Sequence, residues 1–92
     1  MASQDAWLDA LSEAWDRSGI DVVSCPNCGA TELRLRYQLH APFTRERALV
    51  VLWCDHCLEG PRPNVGPMPA WGTQAPYPDP SIPNFRIASD DA

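Results

Sequence analysis

All four cysteines of this 92-residue chain fall in two identically spaced pairs, Cys25-x2-Cys28 in CPNC and Cys54-x2-Cys57 in CDHC, with 25 residues between the pairs. No other feature restricts the fold so strongly. A two-residue gap lets one tight turn present both sulfurs of a pair to the same ion, and four thiolates complete a tetrahedral shell around zinc at Zn–S distances near ~2.3 Å. Gly29 follows the first pair directly. It allows the backbone to turn with positive φ while amides approach the sulfurs, and amide donors offset part of the negative charge of a thiolate cluster.

The segment between the pairs predicts a way of bringing them together. ELRLRYQL places Leu33, Leu35, Tyr37 and Leu39 on one face and Arg34, Arg36 and Gln38 on the other, the alternation of a half-buried strand. Ala48 to Trp53, ALVVLW, is apolar throughout and β-branched at its centre, as in a strand covered on both faces. HAPFTRER must turn the chain between them, and Pro42 forbids an uninterrupted ladder there. The expectation is a hairpin with a cysteine pair at each base.

Residues 25 to about 64 thus resemble a zinc ribbon: two C-x-x-C knuckles joined by a β-hairpin, commonly with a third strand after the second knuckle. The resemblance covers about forty of the 92 residues. It implies that Cys25, Cys28, Cys54 and Cys57 hold a structural Zn2+. The second knuckle departs from the common pattern, because Leu58 and not glycine follows Cys57, with Gly60 two residues later; a looser second turn is expected.

Other readings of the cysteines fit less well. Two disulfides require an oxidising compartment, and the N-terminal MASQDAWLDALSEAWDR lacks the basic and apolar regions of a secretory signal. A lone C-x-x-C redox pair does not call for a second one, and no thioredoxin-like βαβ pattern accompanies it. His56, inside the second knuckle, is read as an exposed loop residue rather than a substitute ligand, and His40 as a solvent-facing residue at the start of the hairpin turn. No apolar run approaches the length of a membrane span, and a cytoplasmic location is expected.

On either side of the hairpin the chain changes character. From Gln4 to Ser18, Trp7, Leu8, Leu11, Ala14 and Trp15 recur at helical spacing, opposite Asp5, Asp9, Ser12 and Asp16. Ser3 is the natural N-cap. Gly19 is expected as the left-handed residue closing the helix, with Ile20 folding back. The apolar stripe predicts that the helix packs over the sheet; a self-association stripe is the alternative. After the hairpin, residues 60 to 83 hold eight of the ten prolines. Such a segment cannot be helical; it is expected to be extended, lying on the ribbon through Val65, Met68, Trp71 and Tyr77, before an acidic, frayed end. The fold class expected is therefore small α+β and metal-stabilised: a helix over residues 1–24, the ribbon with its hairpin or three-stranded sheet over 25–64, and an extended proline-rich tail over 65–92, all in one domain.

Three functions follow from these features. Four sulfur ligands leave no open coordination position, and no nucleophile motif, paired carboxylates or phosphate-cradling loop is present, so a non-enzymatic protein-binding adaptor or accessory subunit leads. Trp71, Tyr77 and Phe85 are its natural anchors, since aromatic residues dominate interface hot spots. Arg34, Arg36, Arg45 and Arg47 on the hairpin offer either a plain solvated face or contacts to phosphate or to an acidic partner. That keeps a nucleic-acid- or transcription-associated ribbon as the alternative, although a net charge of -5 opposes it. The third is a rubredoxin-like electron carrier, which four sulfurs around one iron would make; the long hairpin and the missing second glycine fit it poorly.

Overall fold

A computed structural model describes residues 2–39 and 42–88. It contains one helix, α1 (Gln4–Arg17), and six strands: β1 (Leu33–Gln38), β2 (Ala48–Cys54), β3 (Glu59–Gly60), β4 (Asn64–Gly66), β5 (Gln74–Ala75) and β6 (Arg86–Ile87). The molecule is small α+β, with the helix against a mixed sheet. His40 and the acidic end expected at Asp90 and Asp91 lie outside the described residues.

The hairpin forms as its alternation requires. β1 and β2 are antiparallel in the register Leu33↔Cys54 to Gln38↔Leu49. Leu33, Leu35 and Tyr37 turn inward with Ala48, Val50, Leu52 and Cys54 to make the core. β4 pairs antiparallel with the other edge of β2, so the third strand expected after the second cysteine pair is present. A fourth was not foreseen: β5 runs parallel to β1 beside Tyr37 and Gln38, giving the order β4-β2-β1-β5. Both added strands come from the proline-rich segment and both are short edges, the position in a sheet that tolerates neighbouring proline. β4 spans positions 64 and 65, so the chain beyond the ribbon boundary drawn from sequence continues the same sheet.

The helix begins as the sequence predicts, with the Ser3 hydroxyl accepting from the Ala6 amide at 3.2 Å. Its end differs by one residue. Ser18, not Gly19, takes the left-handed conformation (φ 56, ψ 38), while the Gly19 amide reaches back to the Ala14 carbonyl at 2.9 Å. A short polar side chain tolerates this conformation, and Gly19 then completes the closing pair of backbone bonds.

The buried face of α1 is rotated from the expected stripe. Trp7, Ala10 and Ala14 are buried, whereas Leu8 and Trp15 are 44% and 40% exposed. Trp7, Ala10 and Ala14 join the core cluster with the inward residues of β1 and β2. Trp15 instead meets Trp71 edge-on, with centroids 5.7 Å apart.

The second face of β2 is also closed, though not by other hairpin residues alone. Val51 and Trp53 are buried. Phe85 stacks on the Trp53 ring at 6.0 Å and 11°, and the Arg36 guanidinium lies over the same ring at 5.6 Å. β6 holds Phe85 there through its parallel pairing with β3. The pairing needs Gly60, because a Cβ at that position would collide with the Leu52 carbonyl oxygen. Gln4 ties the helix to the same region: its side-chain amide donates to the Ala88 carbonyl at 2.6 Å and accepts from the Arg62 amide at 3.2 Å.

Candidate metal centre

Two tight turns place the cysteines. In the first, the Gly29 amide donates to the Cys25 carbonyl at 2.9 Å; in the second, the Leu58 amide donates to the Cys54 carbonyl at 2.8 Å. Gly29 has φ 81 and Leu58 has φ 53. The second turn is therefore closed like the first, and the looser geometry expected from the missing glycine is not found; leucine adopts the left-handed conformation in its place. The β1–β2 register and the Asp55 amide bond to the Glu32 carbonyl (2.9 Å) bring the two turns side by side.

The result is a compact cluster. The four Sγ atoms all lie within 4.8 Å of one another. Cys25 and Cys57 Sγ are 3.8 Å apart, and Cys28 and Cys54 Sγ are 3.7 Å apart. Sulfurs placed tetrahedrally at ~2.3 Å from a zinc ion are separated by roughly 3.8 Å. The donor set and spacing fit a four-coordinate metal ion held by Cys25, Cys28, Cys54 and Cys57.

Backbone amides surround the sulfurs as the glycine argument anticipates. Cys25 Sγ faces the amides of Asn27 (3.3 Å) and Cys28 (3.4 Å). At the equivalent offsets in the second turn, the amides of Cys57 and His56 act on Cys54. Asn27 adds a contribution that sequence spacing alone does not reveal. Its side-chain amide reaches across to Cys57 Sγ at 3.5 Å, and its carbonyl oxygen accepts from the Ala2 amide at 3.1 Å. An asparagine inside the first C-x-x-C was the available signal; its partners depend on how the turns meet.

The thiols are electrostatically unequal. Burial pushes the Cys25 thiol up to about 12 against the opposing pull of the Cys28 and Asn27 amides. Burial also raises Cys54. Exposed Cys28 is lowered, chiefly by the Ala30 amide. Metal ligation requires thiolates, and a metal ion in the cluster would supply the charge against which the buried Cys25 and Cys54 could lose their protons.

The other residues singled out from sequence are dispersed. His56 is an exposed loop residue, with Nδ1 3.4 Å from Glu32 Oε2, and is not in the cluster. Arg34 contacts Asp55 (3.3 Å) and Arg36 covers Trp53. Arg45 and Arg47 lie in the turn beyond the other end of β2, where the Arg47 and Thr44 backbones bond each other and the Met68 amide bonds the Arg45 carbonyl. Arg47 is thus four residues from Val51, the cross-strand partner of Arg36, roughly 13 Å along an extended chain; the four arginines do not form one cluster. Trp71 packs on Trp15 and the core, Phe85 packs on Trp53, and Tyr77 is 54% exposed. No helix among the described residues is long and apolar enough to cross a membrane.

Comparison with known proteins yields no match to a family model, to a curated protein or to a solved structure.

Proposed function

We propose that the chain is a zinc-ribbon protein whose zinc is structural and whose role is to bind another protein, as an adaptor or accessory subunit in the cytoplasm. The observation that carries the metal assignment is the pair of Sγ–Sγ separations, 3.8 and 3.7 Å, which match the edge of a zinc–thiolate tetrahedron. Zinc bound there would join the two turns and supply cohesion, not reactivity, because four sulfurs fill its coordination shell. The arginines support nucleic-acid binding weakly: the two on β1 already contact Asp55 and Trp53, and the net charge is -5.

The metal reading is tested by elemental analysis of freshly purified, reduced protein. One zinc per chain is expected; one iron with the red colour of an iron–thiolate centre would replace this reading by electron transfer. The adaptor reading is tested separately, by affinity purification of the zinc-loaded chain from its native source. A stoichiometric protein partner supports it, and nucleic acid alone in the eluate refutes it.

A further inference from the structure

One face of α1 carries uncompensated charge. Asp5, Asp9, Ser12 and Asp16 are all exposed, and at spacings of four, three and four residues they form one row along the helix. None of the three carboxylates has a hydrogen-bond or ion-pair partner among the described residues, and the one basic residue of α1, Arg17, is held by Glu13 at 2.9 Å. The row works against the helix. Asp5 lies one turn from Asp9, and Asp9 one turn from Glu13, a like-charge arrangement that destabilises a helix. Asp16 is in the last turn, where the helix dipole favours a cation. Packing offsets none of this, because the three side chains stand in solvent.

The adjoining row is apolar and open. Leu8 and Trp15, two turns apart, are 44% and 40% exposed, while Trp7, Ala10 and Ala14 hold the buried side of the helix in the core. Beside Leu8 a cleft of about 310 Å³ lies between the helix and residues 62–64, lined by Gln4, Leu8, Arg62, Pro63 and Asn64. Arg62 is the charged residue of that lining, so the cleft suits an uncharged side chain. Exposed apolar groups rimmed by charge are the usual composition of a contact surface.

We infer that this face of α1 docks a basic amphipathic helix of a partner protein, which seats an apolar side chain beside Leu8 and sets lysines or arginines against Asp9 and Asp16. Asp9 and Asp16 are seven residues apart, as are Leu8 and Trp15, so the partner repeats its apolar and basic positions every two turns. Apolar anchors supply the affinity of such a helix pairing, and the complementary charges select the partner. The cations also turn the repulsion within the acidic row into attraction. A second copy of this chain is disfavoured as occupant, because it would set carboxylate against carboxylate. Nucleic acid and anionic membranes are opposed by the same charges. The inference rests on the adaptor reading for its biological partner, but the site can be tested without one.

The test is chemical-shift mapping on the zinc-loaded full chain. The probe is a capped, alanine-rich helical peptide with leucines on one row and lysines on the adjoining row. It should shift Leu8, Asp9, Ser12 and Trp15, and bind more weakly as salt rises. Asp9→Asn and Asp16→Asn should each weaken binding about threefold, and Leu8→Gln about tenfold. Neither asparagine variant should lower the thermal midpoint of the free chain, since each removes a repulsion; a lower midpoint in both would show that the carboxylates serve the fold and overturns the inference. The D9K/D16K chain, whose lysines suit their places in the helix, should release the lysine peptide and bind its glutamate counterpart instead. Shifts that avoid α1, equal binding of a peptide with the same composition but scattered lysines, or failure of the charge exchange overturns the site. A native partner that co-purifies equally with wild type and the D9K/D16K chain leaves the adaptor reading standing and removes this site. If wild type captures no partner while the peptide behaves as described, the site stands and the adaptor reading fails.

Discussion

Leu58 occupies in the second cysteine turn the place that Gly29 occupies in the first, with the same backbone bond to the leading cysteine and the same sign of φ. The left-handed conformation costs a residue with a Cβ about 1–2 kcal/mol, and Leu58 recovers little by burial, being 44% exposed. Leu58→Gly is therefore expected to stabilise the metal-loaded chain by up to about 1 kcal/mol, after the added entropy of glycine in the unfolded state. Leu58→Val should destabilise it by about 1 kcal/mol or more, since β-branched residues fit this region worst. Denaturant titration of both variants checks the pair; a destabilising glycine would mean that the leucine side chain holds the turn.

The same position shows where sequence was a good guide and where it was not. The cysteine spacing, the alternation from Leu33 to Tyr37 and the Ser3 cap are local signals, and each appears in the structure as read. The closure of the second turn, the register of the buried helix face and the covering of Trp53 by Phe85 depend on contacts between distant segments. Glycine was missing after Cys57, but tertiary closure imposed its conformation on leucine. Likewise β5 and β6 are two-residue strands in proline-rich chain; their partners, Tyr37 and Glu59, lie far away in sequence and leave no periodic trace.

Metal removal should unfold the hairpin. Structural zinc supplies an apparent ~10–16 kcal/mol in small zinc peptides, more than the ~5–15 kcal/mol net stability of an ordinary domain. A strong chelator is expected to abolish the near-ultraviolet circular dichroism of the buried Trp7 and Trp53, and added zinc to restore it. Cys54→Ser, at a buried ligand, should have the same effect without chelator. Retention of the native spectrum in either case would show that the core stands without the ion.

Glu59 is fully buried, and neither carboxylate oxygen has a hydrogen-bond partner; Arg86 Nη2 approaches Oε2 at 3.6 Å. Arg86 is itself largely exposed, so solvent screens the pair, but removing the arginine deprives a buried acid of a compensating charge. Arg86→Gln is expected to cost about 1–3 kcal/mol, and Glu59→Gln less. In the double variant the losses should be smaller than their sum. A double-mutant cycle by thermal or chemical denaturation measures that difference, and strict additivity would remove the ion pair from the forces holding β6 to β3.

Tyr37 gives the fold an alkaline limit. Its hydroxyl is buried without a partner in bonding geometry, and burial pushes its pKa up to about 12, with the Trp15 side chain acting weakly in the opposite direction. An ordinary tyrosine ionises near ~10. The folded state therefore holds its phenolic proton where the unfolded chain releases it, so the unfolded state binds fewer protons there and unfolding releases one. The contribution is fully present below pH ~10 and is lost as pH rises from there through about 12. Tyr37→Phe abolishes this loss while changing stability at neutral pH by no more than about 1 kcal/mol, since it removes a buried hydroxyl that lacks a partner. Denaturation midpoints of the two proteins should run parallel near neutrality and diverge above pH ~10 in favour of the phenylalanine variant; curves that stay parallel would show that the phenol reaches solvent in the native state.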